Sequence, residues 1–303
     1  MAGIHAARGS SRVALISCGE FPQLDEDDRL LIAPLAERGV RAEPVVWDAP
    51  GTDWTDYRLA VLRSTWDYAP RRDEFVDWAA TVPNLANPAD VVRWNTDKRY
   101  LDTLSAAGAP TVPTTWVEPG DSTWRPPDHG EYVIKPAVSA GSRDTGRYDL
   151  ADSDHRRLAA EHVRRLAGAG RLTMVQPYLA AVDTVGETAL LYFAGPAGLE
   201  LSHAIRKGPL LTGPDLGVDG LFRPETIEPR TPSLEEAAIA RKVLALLPHG
   251  YADRLLYARV DLIPGPDGRP VLVELELTEP SLFLAHGRDA PARLADAIVA
   301  RLA

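Results

Sequence analysis

The chain has 303 residues, 45% of them hydrophobic and 25% charged, and a formal net charge of −10 that argues against general nucleic-acid binding and against attachment to an anionic membrane. A single cysteine, Cys18, excludes internal disulfides and cysteine-rich metal centres and fits a reducing compartment. The start carries no apolar signal core, and no uncharged apolar run approaches the ~20 residues of a membrane span, so a cytoplasmic protein is expected.

In chain order, RVALIS (12–17) reads as a short buried strand, and residues 25–40 as a helix stopped by Gly39. AEPVVW (42–47) and LAVLRS (59–64) read as further strands and residues 73–82 as a helix. Strands alternating with helices predict a parallel sheet. Pro83 and Pro88 mark the exit from this first unit. Residues 95–110 then read as a helix with Asn95 as N-cap and Gly108 at its end, followed by a Pro-rich stretch and a strand ending at Lys135. Residues 154–168 are helical, and 172–179 form a strand running into a proline. Residues 187–207 give two strands around Gly195–Gly198, and 208–232 an irregular loop. Residues 233–247 form a helix opened by a capping box, Ser233 with Glu236 three positions on. Two strands joined by PGPDG and a final helix over 289–302 close the chain.

The stretch EYVIKPAVSAGSRDTGRY (131–148) ends an apolar run in Lys135-Pro136 and continues as a loop of small residues with two glycines and two arginines. Successive backbone N–H groups in such a loop form a nest for an anion. Of the 33 Lys plus Arg, only Lys98, Lys135, Lys207 and Lys242 are lysines. A lysine retained among arginines is the compact point charge that suits a phosphate; drift is the plain alternative for any one of them.

The hairpin ARVDLIPGPDGRPVLVELEL concentrates acid. Glu274 and Glu276, two apart on a strand, share a face, with Val273, Leu275 and Leu277 opposite them. A turn centred between Pro266 and Asp267 places Asp261 across from Leu272 and Arg259 across from Glu274, so that Asp261, Glu274 and Glu276 lie on one face. A one-residue slip would reverse Asp261. Three carboxylates together call for a cation, and Mg²⁺ with nucleotide phosphates is the natural one; the alternative is a solvent-facing strand balanced by Arg259. At the carboxyl end of the third strand, RSTWDY offers Arg63, Ser64 and Thr65 as ligand contacts; the alternative is that Trp66 and Tyr68 pack a domain interface. GSRDTGR is no P-loop, no G-x-G-x-x-G follows a strand, and the histidines show no metal-ligand spacing, so His203 reads as structural.

The ordered set NTDK, YVIKP with its loop, MVQPYL, ARVDL and VELEL resembles the ATP-grasp superfamily over residues 90–285. The resemblance implies an α/β chain, α+β in its ATP-binding part: an ATP-grasp fold behind a Rossmann-like pre-ATP-grasp domain. It divides as an N-terminal α/β domain (1–90), a central subdomain carrying a lid loop at 137–147 (91–175) and a C-terminal subdomain with the Mg²⁺ site (176–303). It implies ATP and Mg²⁺ as cofactors. Lys98 and Lys135 would contact phosphates, with Ser139, Ala140 and Gly141 of the loop above them. Gln176 and Tyr178 would line the adenine pocket, Glu187 would hold the ribose, and Asp261, Glu274 and Glu276 would hold the metal. Glu276 departs from the Asn common at that position. From SHAIRKGP, Arg206 is taken as the residue that contacts the transferred phosphate or the substrate carboxylate, with Lys207 in reserve and Arg63 as a further catalytic and substrate contact. ELTEPSLFL resembles the segment that holds the acceptor substrate, with Glu279 and Ser281 singled out.

Most members of that superfamily activate a carboxylate as an acyl phosphate for attack by an amine, a chemistry that needs a water-excluding lid and no covalent nucleophile. RSTWDY, NTDK, SHAIRK and ELTEPS together are most similar to the group containing the cyclo-ligase that closes O-ureido-D-serine to D-cycloserine. The resemblance therefore implies an intramolecular C–N ligation. An intermolecular amino acid or peptide ligase and a non-catalytic nucleotide-binding module remain as alternatives. The expected partner is a small amino-acid-like molecule, with no nucleic acid and no membrane, and with a homodimer left open.

Overall fold

The computed structural model describes residues 11–215 and 226–303. Its first sheet is parallel, in the order β2 (Val40–Val46), β1 (Ser11–Ser17), β3 (Leu59–Ser64), β4 (Leu85–Ala86). Successive residues of β1 enter different cores. Val13 and Leu15 pack with α1 (Ile32–Glu37) and the chain's last helix, while Ala14 and Ile16 pack with Trp47, Phe75 and α2 (Arg72–Ala79). Burial on both faces is why these strands read as continuous apolar runs. The helix expected over 25–40 is shorter: a 3-10 turn at Asp28–Leu31 precedes α1. Pro34, with no N–H to give, fits only the first turn of a helix, so α1 starts afresh at Ile32.

The second sheet is antiparallel, in the order β5 (Thr115–Val117), β8 (Thr173–Pro177), β6 (Glu131–Pro136), β7 (Gly146–Asp149). Helix α5 (Ser153–Gly168) covers one face, setting Ala159, Val163 and Leu166 against Ile134, Tyr148 and Val175. The third, also antiparallel, runs β11 (Ile227–Arg230), β10 (Gly198–Lys207), β9 (Glu187–Gly195), β12 (Tyr257–Pro264), β13 (Pro270–Glu276). Strand β11 falls inside the stretch expected to be irregular, where it pairs with the outer edge of β10. Strand β9 again splits its side chains. Leu190 and Tyr192 meet α6 (Leu234–Ala245), and Ala189, Leu191 and Phe193 meet α7 (Ala290–Ala300). The last helix thus lies in one core with β1 and α1, joining the two ends of the chain. The Ser233–Glu236 capping box is formed in both directions.

Two single-residue bulges decide which side chains reach the middle of the molecule. In β10, Leu201 pairs with Tyr192 but His203 with Leu191, so Ser202 is the extra residue. In the hairpin, Leu262 pairs with Leu272 but Asp261 with Glu274, so Val273 is extra. The expected hairpin register is therefore corrected. Near the turn it is slipped by one residue, which alone would have turned Asp261 away from Glu274; the bulge adds a second step and restores the common face. Arg259 pairs with Glu276 instead of Glu274.

Asn95 is no N-cap. It ends α3 (Ala89–Asn95), and its side chain donates to Leu275 O at 2.8 Å and accepts from Leu277 N at 2.7 Å, extending the free edge of β13. The following helix, α4, begins at Tyr100 (Tyr100–Ala106).

Candidate active site

The three sheets converge on one cavity of ≈ 260 Å³, and three of the chain's four lysines, Lys98, Lys135 and Lys207, line it. Strand alternation sends Val133 and Lys135 of β6 into the cavity and Ile134 into the core behind. Lys135 is 8% exposed, and among the described residues no hydrogen bond reaches its ammonium. Burial holds its pKa below the ordinary lysine value, against the pull of Glu274. A buried cation without a partner marks where an anion would be stabilised.

Lys98, in the turn between α3 and α4, is fully engaged. Its ammonium donates to Ser139 O at 3.0 Å and Ser139 Oγ at 3.2 Å and pairs with Glu274 Oε1 at 3.0 Å. It joins the small-residue loop to the acidic ribbon. Ser139, Ala140, Gly141, Ser142 and Thr145 of that loop face the cavity. Gly141, Ser142 and Asp144 have φ of 61°, 55° and 53°, so the loop turns through left-handed backbone. The expected loop ends early, because Gly146 and Arg147 already belong to β7.

The acids alternate with cations. Asp261 lies opposite Glu274, and its carboxylate accepts from Arg259 and, at 2.8 Å, from Lys207. Burial works against the Asp261 charge, but Arg259 and Lys207 hold its pKa well below the usual range. Glu274 is likewise kept low by Lys98 and Lys135 despite burial. Arg259 also hydrogen-bonds Glu276. Even so, burial, with Glu274 and Asp261 nearby, pushes Glu276 up to about 7. Glu279 is pushed to about 8 by burial and by Glu276, although Tyr68 donates to it.

Of the expected three-carboxylate metal set, Glu274 and Glu276 line the cavity, and Asp261, paired opposite Glu274, is bound by Arg259 and Lys207. Among the described residues no group of three ligands is ready to hold a metal. Hard carboxylate oxygens crowded enough to raise one another's pKa fit Mg²⁺, which takes one or two carboxylates and completes its shell with phosphate and water.

Other expected residues divide cleanly. Gln176, Tyr178, Glu187, Glu279 and Ser281 line the cavity. Gln176 donates to Thr114 Oγ1 at 2.9 Å, and Tyr178 donates to Asp183 at 2.5 Å beneath the Arg147 guanidinium. Arg206 does not line it. The guanidinium donates to Val185 O at 2.6 Å and Thr184 O at 3.2 Å on the outer side of β10. Lys207 is the residue that faces in, directly opposite Glu187 and 2.5 Å from it.

Arg63, Ser64 and Thr65 also lie off the cavity. All three are 0% exposed; Arg63 and Ser64 are bound to Asp28, and Arg63 further bonds Pro280 O and stacks over Tyr257 at 4.8 Å. They brace the first sheet against the segment after β13. The next turn supplies the cavity instead. Trp66 donates to Glu279 O at 2.9 Å, and Tyr68 reaches the Glu279 carboxylate. Trp66, Tyr68, Arg259 and Asn95 are among the wall residues that the sequence reading did not assign to the site. The signal for the first two was present in RSTWDY: aromatic residues one turn past a strand's carboxyl end. His203 is structural, held by Leu282 O at 2.9 Å.

A family model described as D-cycloserine synthetase DcsG, N-terminal domain, matches residues 13–87. The cycloserine biosynthesis protein DcsG of Streptomyces lavendulae is 35% identical over 306 residues, 96% of this chain and 98% of that protein. The crystal structure of D-cycloserine synthetase DcsG superposes with a TM-score of 0.84 at 33% identity, covering 97% of this chain and 100% of that one. A RimK domain ATP-grasp protein from Sphaerobacter thermophilus DSM 20745 (20% identity, 94% and 98% covered, TM-score 0.63) shares the fold. So does an ATP-complexed D-alanine–D-alanine ligase from Bacillus anthracis (14%, 97% and 97%, 0.63). With a relative 35% identical over 96% of its length, the chain belongs to the D-cycloserine synthetase DcsG family.

Proposed function

We propose that the chain is an ATP-dependent cyclo-ligase that converts O-ureido-D-serine to D-cycloserine. The observation that carries this reading is the gathering of Lys98, Lys135 and Lys207 around the Asp261–Glu274–Glu276 ribbon in one cavity. That is the charge pattern a transferring phosphoryl needs.

Lys135 and Lys98 receive the phosphates, and the backbone of Ser139, Ala140 and Gly141 covers them. Gln176 and Tyr178 flank the base and Glu187 the ribose. Glu274 and Glu276, with Asp261 opposite Glu274, would hold Mg²⁺, which neutralises phosphoryl charge when bound. Lys207 and Arg259 face the carboxylate as it becomes an acyl phosphate. Glu279 and Ser281, walled by Trp66 and Tyr68, hold the rest of the substrate folded for ring closure, so that much of the rate comes from pose. The oxygen-linked nitrogen attacks the acyl carbon, phosphate leaves, and the carbamoyl group departs as carbon dioxide and ammonia after taking up a water molecule. The net charge of −10 fits a small-molecule substrate, and the single cysteine fits the reducing cytoplasm.

The test is incubation with ATP and O-ureido-D-serine, with the cyclic product and ADP followed by mass spectrometry, beside arms holding the L-enantiomer and a free amine acceptor. Cyclic product that depends on ATP is expected. A linear amide formed with the added amine, and no ring, would overturn the reading in favour of an intermolecular ligase.

A further inference from the structure

Two separate segments cover the cavity. The first is the loop between β6 and β7, with Ser139 to Ser142 on the wall; the second follows β10, with Gly208, Leu210 and Leu211 on the wall. Neither belongs to the other's hairpin. One guanidinium reaches both. Arg165, in the last turn of α5, pairs with Asp144 of the first segment at 2.7 Å and with Asp215 of the second at 2.5 Å, using its two terminal nitrogens. Arg171, just ahead of β8, closes the set: it pairs with the other Asp144 oxygen at 2.5 Å and donates to Val138 O at 3.2 Å.

Backbone contacts tighten the junction. Arg147 N donates to Gly213 O at 2.9 Å, and Asp215 N donates to Tyr148 Oη at 3.3 Å. A Cβ at position 146 would lie 2.6 Å from Asp215 N, so the second segment approaches only because Gly146 has no side chain.

Arg165 keeps half of its side chain exposed. Its partners are less exposed, Asp144 at 20% and Asp215 at 3%, and each lies in one of the two covering segments, so the fork holds two covers in one mutual position. We propose that Arg165 is a positioning residue that makes the two covering segments close over the cavity as one piece, and so protects the acyl phosphate from water. This rests on the acyl-phosphate chemistry proposed above. Where the covers part, water oxygen bonds to the acyl carbon, phosphate leaves, a proton goes to solvent and the starting carboxylate is regenerated. The cost is one ATP with no ring formed.

The experiment measures ATP consumed per ring closed, and in parallel the release rate of the fluorescent analogue mant-ATP, in the full chain and in Arg165→Gln, Arg165→Lys, Asp144→Asn and Asp215→Asn. Arg165→Gln is expected to raise the ATP-to-ring ratio at least about threefold and to speed mant-ATP release, by more than any drop in melting temperature accounts for. Arg165→Lys, a point charge that cannot fork to two acids, should fall between. Asp144→Asn and Asp215→Asn, each removing one arm of the Arg165 fork, should shift the ratio in the same direction as Arg165→Gln. An unchanged ratio and unchanged release rate in Arg165→Gln overturn the proposal, as does a change that merely tracks lost melting temperature. If the wild-type chain closes no ring, the functional reading fails, and mant-ATP release alone still decides for or against the link.

Discussion

The ammonium of Lys207 lies 2.8 Å from the Asp261 carboxylate and 2.5 Å from Glu187, inside the cavity, while Arg206 beside it in the chain is bound to Val185 O and Thr184 O outside. Lys207→Ala is expected to lower kcat/KM at least about 100-fold, the scale of losing one preorganised charge at a transferring group. Arg206→Ala should stay within about twofold of wild type, in line with a surface contact. Steady-state kinetics on the two variants checks this; the opposite ranking would place the working cation on the other face of β10.

Asp261 and Glu274 face each other across the ribbon but have different neighbours, and the two should fail differently. Asp261→Asn removes the charge that two buried cations share, Arg259 and Lys207. It should cost about 3–5 kcal/mol of stability, the range for breaking a buried ion pair from one side. Glu274→Gln should cost less stability and chiefly raise the Mg²⁺ concentration needed for half-maximal turnover. Denaturant melts alongside Mg²⁺ titrations separate the two, and equal behaviour would mean that both acids serve the metal alike.

What the sequence disclosed and what it withheld follow one physical division. The apolar runs of β1 and β3 and the capping box of α6 are local signals, and the corresponding elements form where they are read. Facing within the antiparallel sheets is not local, because it depends on single-residue bulges that leave no mark in an alternating pattern. Without Ser202 as the extra residue in β10, Arg206 would sit opposite Glu187 where Lys207 does. Without Val273 as the extra residue in β13, Asp261 would oppose Val273, and Glu274 would face the other way. Val273 itself lines the cavity instead of entering the core with Leu275 and Leu277. Short edge strands such as β7 and β11 exist through their partners and not through their own composition. At Arg63, Ser64 and Thr65 the strand end was legible, but the chain first uses it to bind Asp28 and only then turns its aromatics to the cavity.

Lys135 differs from the other two cavity lysines in having no hydrogen-bonding partner among the described residues and a pKa held down by burial. Its charge is a standing cost to the empty protein that a bound triphosphate would relieve. Lys135→Ala is therefore expected to weaken ATP binding about 10- to 100-fold, corresponding to about 1.4–2.8 kcal/mol, while leaving the empty protein at least as stable as wild type. Lys135→Arg should not rescue binding, since a planar fork does not replace a compact ammonium in a closed space. Isothermal calorimetry and a thermal melt together decide; unchanged affinity would make Lys135 a structural residue.

Glu279 carries the clearest pH signature. Burial and Glu276 push its carboxyl up to about 8, against about 4.3 in an unfolded chain. Between those values the folded state holds a proton that the unfolded state has lost, so stability falls as pH rises through the folded pKa. Glu276, at about 7, acts in the same sense. His162, lowered to about 4 by burial and Arg165, acts in the opposite sense, but only below its ordinary value of about 6.5. Raising the pH from about 7 to about 8.5 should therefore lower the melting temperature of the nucleotide-free protein chiefly through the two glutamates, with the Cys18 thiol, raised by burial, acting in the same sense toward the alkaline end. Glu279→Gln should flatten that decline and leave the variant more stable than wild type at the alkaline end, while turnover falls because the substrate wall is altered. Mg²⁺ and nucleotide should flatten the same decline in wild type by giving the clustered acids a countercharge. Calorimetric melts across this window, with and without ligand, check both effects; a wild-type melting temperature that rises with pH would show that Glu279 is already ionised in the folded protein.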